Sequence, residues 1–207
     1  MSDDPRRQTT QEEHDIANLL IRWGHARDSD DWDMLEACFH GDASIHISWI
    51  SASAREFVAR SRTIAKQRSP GSHTKHLITG PWIQINGDRA FSRCNVNLYV
   101  RAAIGGHEVD VESWFRFFDL LEQRDGVWRI VKRTGVYEKD RLDPVNAHCL
   151  PENYLADMDL SSYPECAKHL CYLQQLSGRP AVTNIISVYS TEETDLREGG
   201  ARWLAGG

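Results

Sequence analysis

The chain is predicted to adopt an α+β fold, in which three helices come first and a curved, long-stranded antiparallel sheet follows. Three observations predict it. Ile16, Leu19, Leu20 and Trp23 recur at the i, i+3, i+4, i+7 spacing of an amphipathic helix. Asn86-Gly87 and Asp125-Gly126 are two-residue hairpin signals set between strand-like runs. Helical patterns precede strand patterns instead of alternating with them, which segregates the helices to one side of the sheet.

The elements follow in order. Residues 1–9 read as a disordered tail. Thr10 with Glu13 forms an S/T-x-x-E capping box, and the first helix follows. Ile21, Gly24 and Asp28 lie on the border of its apolar stripe, which puts Asp28 at an interior edge. Asp30-Asp31 punctuates the chain, and a short helix over 32–39 turns Leu35 and Phe39 inward. Residues 43–49 alternate as a strand, with Ile45, Ile47 and Trp49 on one side and Ser44, His46 and Ser48 on the other. A helix over 54–67 buries Phe57, Val58 and Ile64 and stops before Ser69-Pro70-Gly71. Four strands follow, at 73–86, 89–103, 107–123 and 127–139, with Gly105-Gly106 as the third turn. Residues 10–143 thus form one domain. Residues 144–207 form a helical extension, loop-like over 145–162, then helical over 163–177 and 191–204, with Ser177-Gly178-Arg179-Pro180 as a breaker. The extension is too sparsely apolar for a second core, so it serves as a lid or a subunit contact.

Composition narrows the function classes. A net charge of −6 without any basic block argues against nucleic acid or an anionic membrane as the main partner. No apolar run approaches the length of a membrane span, and residues 1–15 hold no apolar leader stretch. The five cysteines form an odd count without a tight framework, which fits reduced thiols in the cytoplasm. Nine histidines raise the question of a metal, but they are dispersed. The close pair His73 and His76 would face opposite sides of a strand, so no metal site is expected. The chain has no phosphate-binding glycine loop and no nucleophile elbow. Seven tryptophans suit an apolar ligand pocket as well as a core.

The order of motifs carries a resemblance. Arg22-Trp23-Gly24-His25-Ala26-Arg27-Asp28, then Leu35-Glu36-Ala37-Cys38-Phe39 with Asp42-Ala43, resembles the start of a SnoaL-like domain. His73-Thr74-Lys75-His76-Leu77-Ile78-Thr79-Gly80 resembles that family's strand bearing a catalytic histidine. Asp125-Gly126-Val127-Trp128-Arg129-Ile130 through Arg133, followed by Tyr137-Glu138-Lys139-Asp140-Arg141, resembles its final hairpin. The family is the branch of the nuclear transport factor 2-like superfamily that includes scytalone dehydratase, hexachlorocyclohexane dehydrochlorinase, bile-acid dehydratases and polyketide cyclases. The resemblance covers residues 10–141.

It implies a cone-shaped α+β barrel whose open end holds a hydrophobic ligand, with Asp28 and His76 as a catalytic dyad and Arg133 as a pocket cation. It also implies a homodimer or homotrimer, and chemistry without a cofactor. The physical logic agrees, since a carboxylate on one imidazole nitrogen fixes the tautomer and leaves the other nitrogen as a base. Arg133 has a second reading as a plain salt-bridge partner. Trp23 and Trp49 are expected on the ligand wall, as are Asn97 and Tyr99, which share one side of their strand with Asn95. Relatives that eliminate water often carry a Tyr acid where this chain has Trp23. Leaving-group protonation then falls to His76 itself or to Tyr99, Tyr137 or His107. The expected activity is a lyase acting on an aromatic or polycyclic hydroxylated compound, by dehydration or by release of a small aldehyde such as formaldehyde. The alternatives are an isomerase or polyketide cyclase on the same fold, and a non-catalytic ligand-binding module.

Overall fold

A computed structural model describes residues 5–151, 153–156 and 158–206. Helix α1 (Pro5–Asp28) is followed by α2 (Trp32–Ala37), β1 (Phe39–Ile47), β2 (Ile50–Ser53) and α3 (Ala54–Ala65). Four long strands come next, β3 (His73–Asn86), β4 (Arg89–Ile104), β5 (His107–Arg124) and β6 (Val127–Pro144). The extension contributes α4 (Lys168–Leu176), a short β7 (Ile186–Ser187) and α5 (Thr191–Leu204). No helix among the described residues is long and apolar enough to cross a membrane.

The sheet order is β2-β1-β6-β5-β4-β3, with β7 added on β6. Three antiparallel hairpin links join β3 through β6, whereas β1 lies parallel to β6. Register shifts between Trp114 and Phe115, between Leu120 and Leu121, and between Thr79 and Trp82 bend the long strands, as bulges do in curled sheets. The curl is not closed by strand pairing. Helix α1 against β3 and α3 against β1 complete the cone instead. Gly24 permits the close approach of α1, because a Cβ there would lie 3.1 Å from Ile78 Cδ1 and 3.5 Å from the His76 carbonyl oxygen.

The concave face holds the core: Trp23, Leu35, Ile45, Phe57, Val96 and Phe117 are all buried. Each such side chain is worth roughly 1.5–3 kcal/mol of burial. A separate cluster of Phe91, Phe118, Val136 and Ile186 sits on the convex face under α5.

The elements differ from expectation at several points. Helix α1 begins at Pro5, so residues 5–9 are helical and Thr10 lies inside the helix instead of capping it. Proline suits a first helical position because the missing N–H would have no partner there anyway. Residues 1–4 of the expected tail lie outside the described residues. Phe39 opens β1 instead of closing α2, and the strand expected over 43–49 is a hairpin of β1 and β2 with Trp49 at its turn. Helix α4 is preceded by a 3₁₀ turn at Glu165–Ala167, after Pro164. Cys38, Cys94, Cys166 and Cys171 carry free thiols; the side chain of Cys149 lies outside the described residues.

Candidate active site

Asp28 closes α1 and His76 sits early in β3, 48 positions later. Asp28 Oδ1 lies 2.6 Å from His76 Nδ1, and Asp28 Oδ2 accepts the His76 backbone N–H at 2.7 Å. A carboxylate oxygen accepts and does not donate, so the ring proton sits on Nδ1 and Nε2 is left as the basic nitrogen. Both side chains are nearly enclosed, at 9% and 8% exposure. The Trp23 indole meets the imidazole edge-on, with ring centroids 5.4 Å apart.

Burial pushes the His76 imidazole below its ordinary value of 6.5, since a buried ring resists charging. The Asp28 hydrogen bond and charge offset part of this, while the Arg27 and Arg133 charges add to it. The ring is therefore neutral and ready to accept a proton near pH 7.

His76 looks into a narrow cavity walled by Trp23, Trp49, Phe57, Leu98, Phe115, Phe117 and Tyr137. The roof comes from the extension: Leu170, Leu173 and Gln174 of α4, with Arg179 beyond it. The Val182 N–H donates to the Ser48 carbonyl at 2.9 Å and straps this segment over the β1–β2 turn. The Ser48 N–H donates to the Tyr137 hydroxyl oxygen at 2.9 Å. Burial pushes the Tyr137 phenol up to about 12, so it stays protonated. Trp23 Nε1 is buried and has no acceptor among the described residues.

Of the residues singled out from sequence, Asp28, His76, Trp23 and Trp49 come together here. Arg133 does not line the cavity. It is fully buried, donates from Nε and Nη2 to Asp119 at 2.7 and 2.8 Å, and stacks between Trp23 and Phe117, its guanidinium carbon 4.4 and 4.1 Å from their ring centroids. Asp119 stands directly opposite it on β5, so the salt-bridge reading holds.

Asn97 and Tyr99 are also misplaced by the expectation. The inward positions of β4 are Cys94, Val96 and Leu98, which puts Asn97 and Tyr99 on the convex face, with Tyr99 42% exposed. The concave face is the apolar one, and polar alternation marked the outside. Tyr99 and His73 line an outer cleft instead. His107 packs against Tyr154 with centroids 5.1 Å apart. Tyr137 is thus the one tyrosine of the suggested acids that lies on the cavity wall.

Sequence reasoning missed Arg27, Phe57, Phe115, Phe117 and the roof residues. Arg27 directly precedes Asp28 on α1, which was a usable signal. Arg179 was read only as part of a helix breaker.

Residues 8–134 match the SnoaL-like domain family. The chain is 32% identical over 205 residues to pea pathogenicity protein 2 of Fusarium vanettenii, covering 92% of this chain and 84% of that protein. A scytalone dehydratase candidate from Novosphingobium aromaticivorans superposes with a TM-score of 0.57 at 16% identity, covering 71% of this chain and 99% of that one. A hexachlorocyclohexane dehydrochlorinase, LinA type 2, gives 0.55 at 17% identity, covering 70% and 96%. The two structures share the fold of this chain. With the family match spanning more than half of its length, the chain belongs to the SnoaL-like branch of the nuclear transport factor 2-like superfamily.

Proposed function

We propose that the chain is a cofactor-independent lyase that dehydrates a hydrophobic aromatic or polycyclic hydroxylated compound, with His76 as general base and Asp28 as its partner. The observation that carries this reading is the 2.6 Å Asp28–His76 contact at the wall of an aromatic chamber.

His76 Nε2 takes a proton from the carbon next to the carbinol. The C–H electron pair becomes the new double bond as the neighbouring C–O bond breaks. The departing hydroxide takes that proton back from His76 Nε2 and leaves as water, which restores the base, while Tyr137 hydrogen-bonds the leaving oxygen. Asp28 stabilises the imidazolium during its lifetime and holds the ring in place. General base catalysis of this kind is worth roughly 10²–10⁴-fold. Burial keeps the Tyr137 phenol protonated, so it has an O–H to donate. It is the group proposed to meet the leaving oxygen. Trp23 Nε1 supplies a neutral donor for charge building on a neighbouring carbonyl or phenol.

The test is turnover of a panel of hydroxylated diaryl, steroid and polyketide-like compounds by the parent, His76→Ala, Asp28→Asn and Tyr137→Phe. Loss of turnover in the first two, with a smaller loss in the third, is expected. Parent turnover that survives both dyad substitutions would sink the mechanism. Ligand binding by the parent without turnover would mark a binding module.

A further inference from the structure

Four arginines gather outside the roofed chamber: Arg27, Arg68, Arg101 and Arg179 all line a polar cleft adjoining it. Two of them are neutralised within the chain. Arg68 grips Asp30 in a two-point bond at 2.9 and 3.2 Å, and Arg101 grips Asp110 at 2.6 and 2.8 Å. Arg27 and Arg179 differ from them in two ways. They alone of the four also line the inner chamber beside His76. Among the described residues, neither makes an ion pair.

Arg27 is only 8% exposed, and its one aromatic contact is Trp32, 5.9 Å away. The nearby carboxylates are engaged elsewhere, Asp28 with His76 by both oxygens and Asp30 with Arg68. Arg179 donates Nη2 to Ser177 Oγ at 3.1 Å, and its Nε is buried with no acceptor among the described residues. Burial, and then the Arg179 charge, push the Arg27 guanidinium down to about 10. Two like charges that line one cleft, neither in an ion pair among the described residues, are costly in a poorly hydrated place, and a ligand oxyanion removes the cost. Planar guanidinium groups also match carboxylate and phosphate geometry better than any other side chain.

We propose that Arg27 and Arg179 form a seat for an oxyanion carried by the ligand, so that the compound entering the chamber is an aromatic acid. Its carboxylate, or an equivalent phosphate or sulfate, sits at the gateway between chamber and cleft. This deepens the lyase reading and rests on its choice of chamber, but it concerns binding and not the proton transfer.

The experiment titrates 2-naphthoate and its neutral counterpart 2-naphthamide against the full chain by tryptophan fluorescence. Expected is at least tenfold tighter binding of the acid. Arg179→Met and Arg27→Met should each erase that preference while leaving amide affinity within about twofold; if one variant fails to fold, the other decides. His76→Ala should keep the preference intact and lose turnover only, which separates failure of the seat from failure of the dyad. Strong competition by inorganic phosphate identifies a phosphate-type ligand, and indifference to it a carboxylate. Equal binding of acid and amide, binding of neither at millimolar concentration, or a preference that survives both arginine substitutions overturns the proposal.

Discussion

The molecule contains the same His–Asp grip twice, and the two copies serve different ends. In the chamber, Asp28 holds His76 Nδ1 with one oxygen and a backbone N–H with the other. On β6, Asp140 accepts from His169 Nδ1 at 2.8 Å with one oxygen and from the Leu170 N–H at 2.7 Å with the other. The hydrogen-bond geometry is nearly the same. The surroundings are not. His76 looks into an aromatic cavity that keeps it neutral, whereas His169 is absent from the cavity wall and is 21% exposed. Asp140 instead caps a helix from outside it: Ala167 precedes α4 and offers no side-chain cap, and Asp140 takes up a free N–H of its first turn. The pair thereby pins the cavity roof to the sheet. A carboxylate on an imidazole does not by itself make a base; what the remaining nitrogen faces decides.

The sharpest break of this comparison is a paired substitution. His76→Ala should cost roughly 10²–10⁴-fold in kcat/KM, while His169→Ala should leave the rate constant of the chemical step nearly intact. Equal losses in a steady-state assay would erase the distinction. A third carboxylate, Asp119, tests it from the interior side. Asp119→Ala strands a fully buried Arg133 and should destabilise the fold by about 3–5 kcal/mol, read by urea unfolding. Asp119→Ala with Arg133→Met should recover much of that loss.

Asp140→Ala removes a cap and should cost roughly 0.5–2 kcal/mol, with raised proteolytic cutting around α4 as the local sign of a loosened roof. The smallest effect is on pH. Because the folded His76 value lies below 6.5, kcat/KM should be flat above pH 6.5 and fall only at more acidic pH. Stability follows the same sign: in that acid range the unfolded chain binds the extra proton more readily, so stability drops as pH falls. Asp28→Asn removes the influence that raises His76 and should shift the acid limb further down, on a lower plateau.

Local signals made most of the architecture legible. The dipeptide Asp125-Gly126 is the β5–β6 turn, and Asn86-Gly87 lies one residue ahead of the β3–β4 turn at Gly87-Asp88. The helix over 191–204 coincides with α5. Asp28 sat at a readable helix border, but its pairing with His76 came from the resemblance to the family's motifs and not from any local pattern. Asn97 and Tyr99 were not readable, because each required knowing which face of a long strand curls inward. Arg133 does face inward and is held off the cavity by Asp119 on the neighbouring strand. Bulges such as that at Trp114 and Phe115 shift strand parity without a trace in composition. The parallel β1–β6 pairing joined residues far apart in sequence, beyond the reach of any periodicity.

Helix α5 lies so close to the convex face that a Cβ on Gly200 would stand 2.6 Å from a ring carbon of Phe91. It follows every strand among the described residues, and the patch it covers is built from strands that all precede it. During synthesis, therefore, the sheet can assemble while Phe91 and Phe118 still face the solvent, until α5 follows and shields them. The nascent protein passes through an adhesive interval, whose length is set by how quickly fourteen residues emerge and coil.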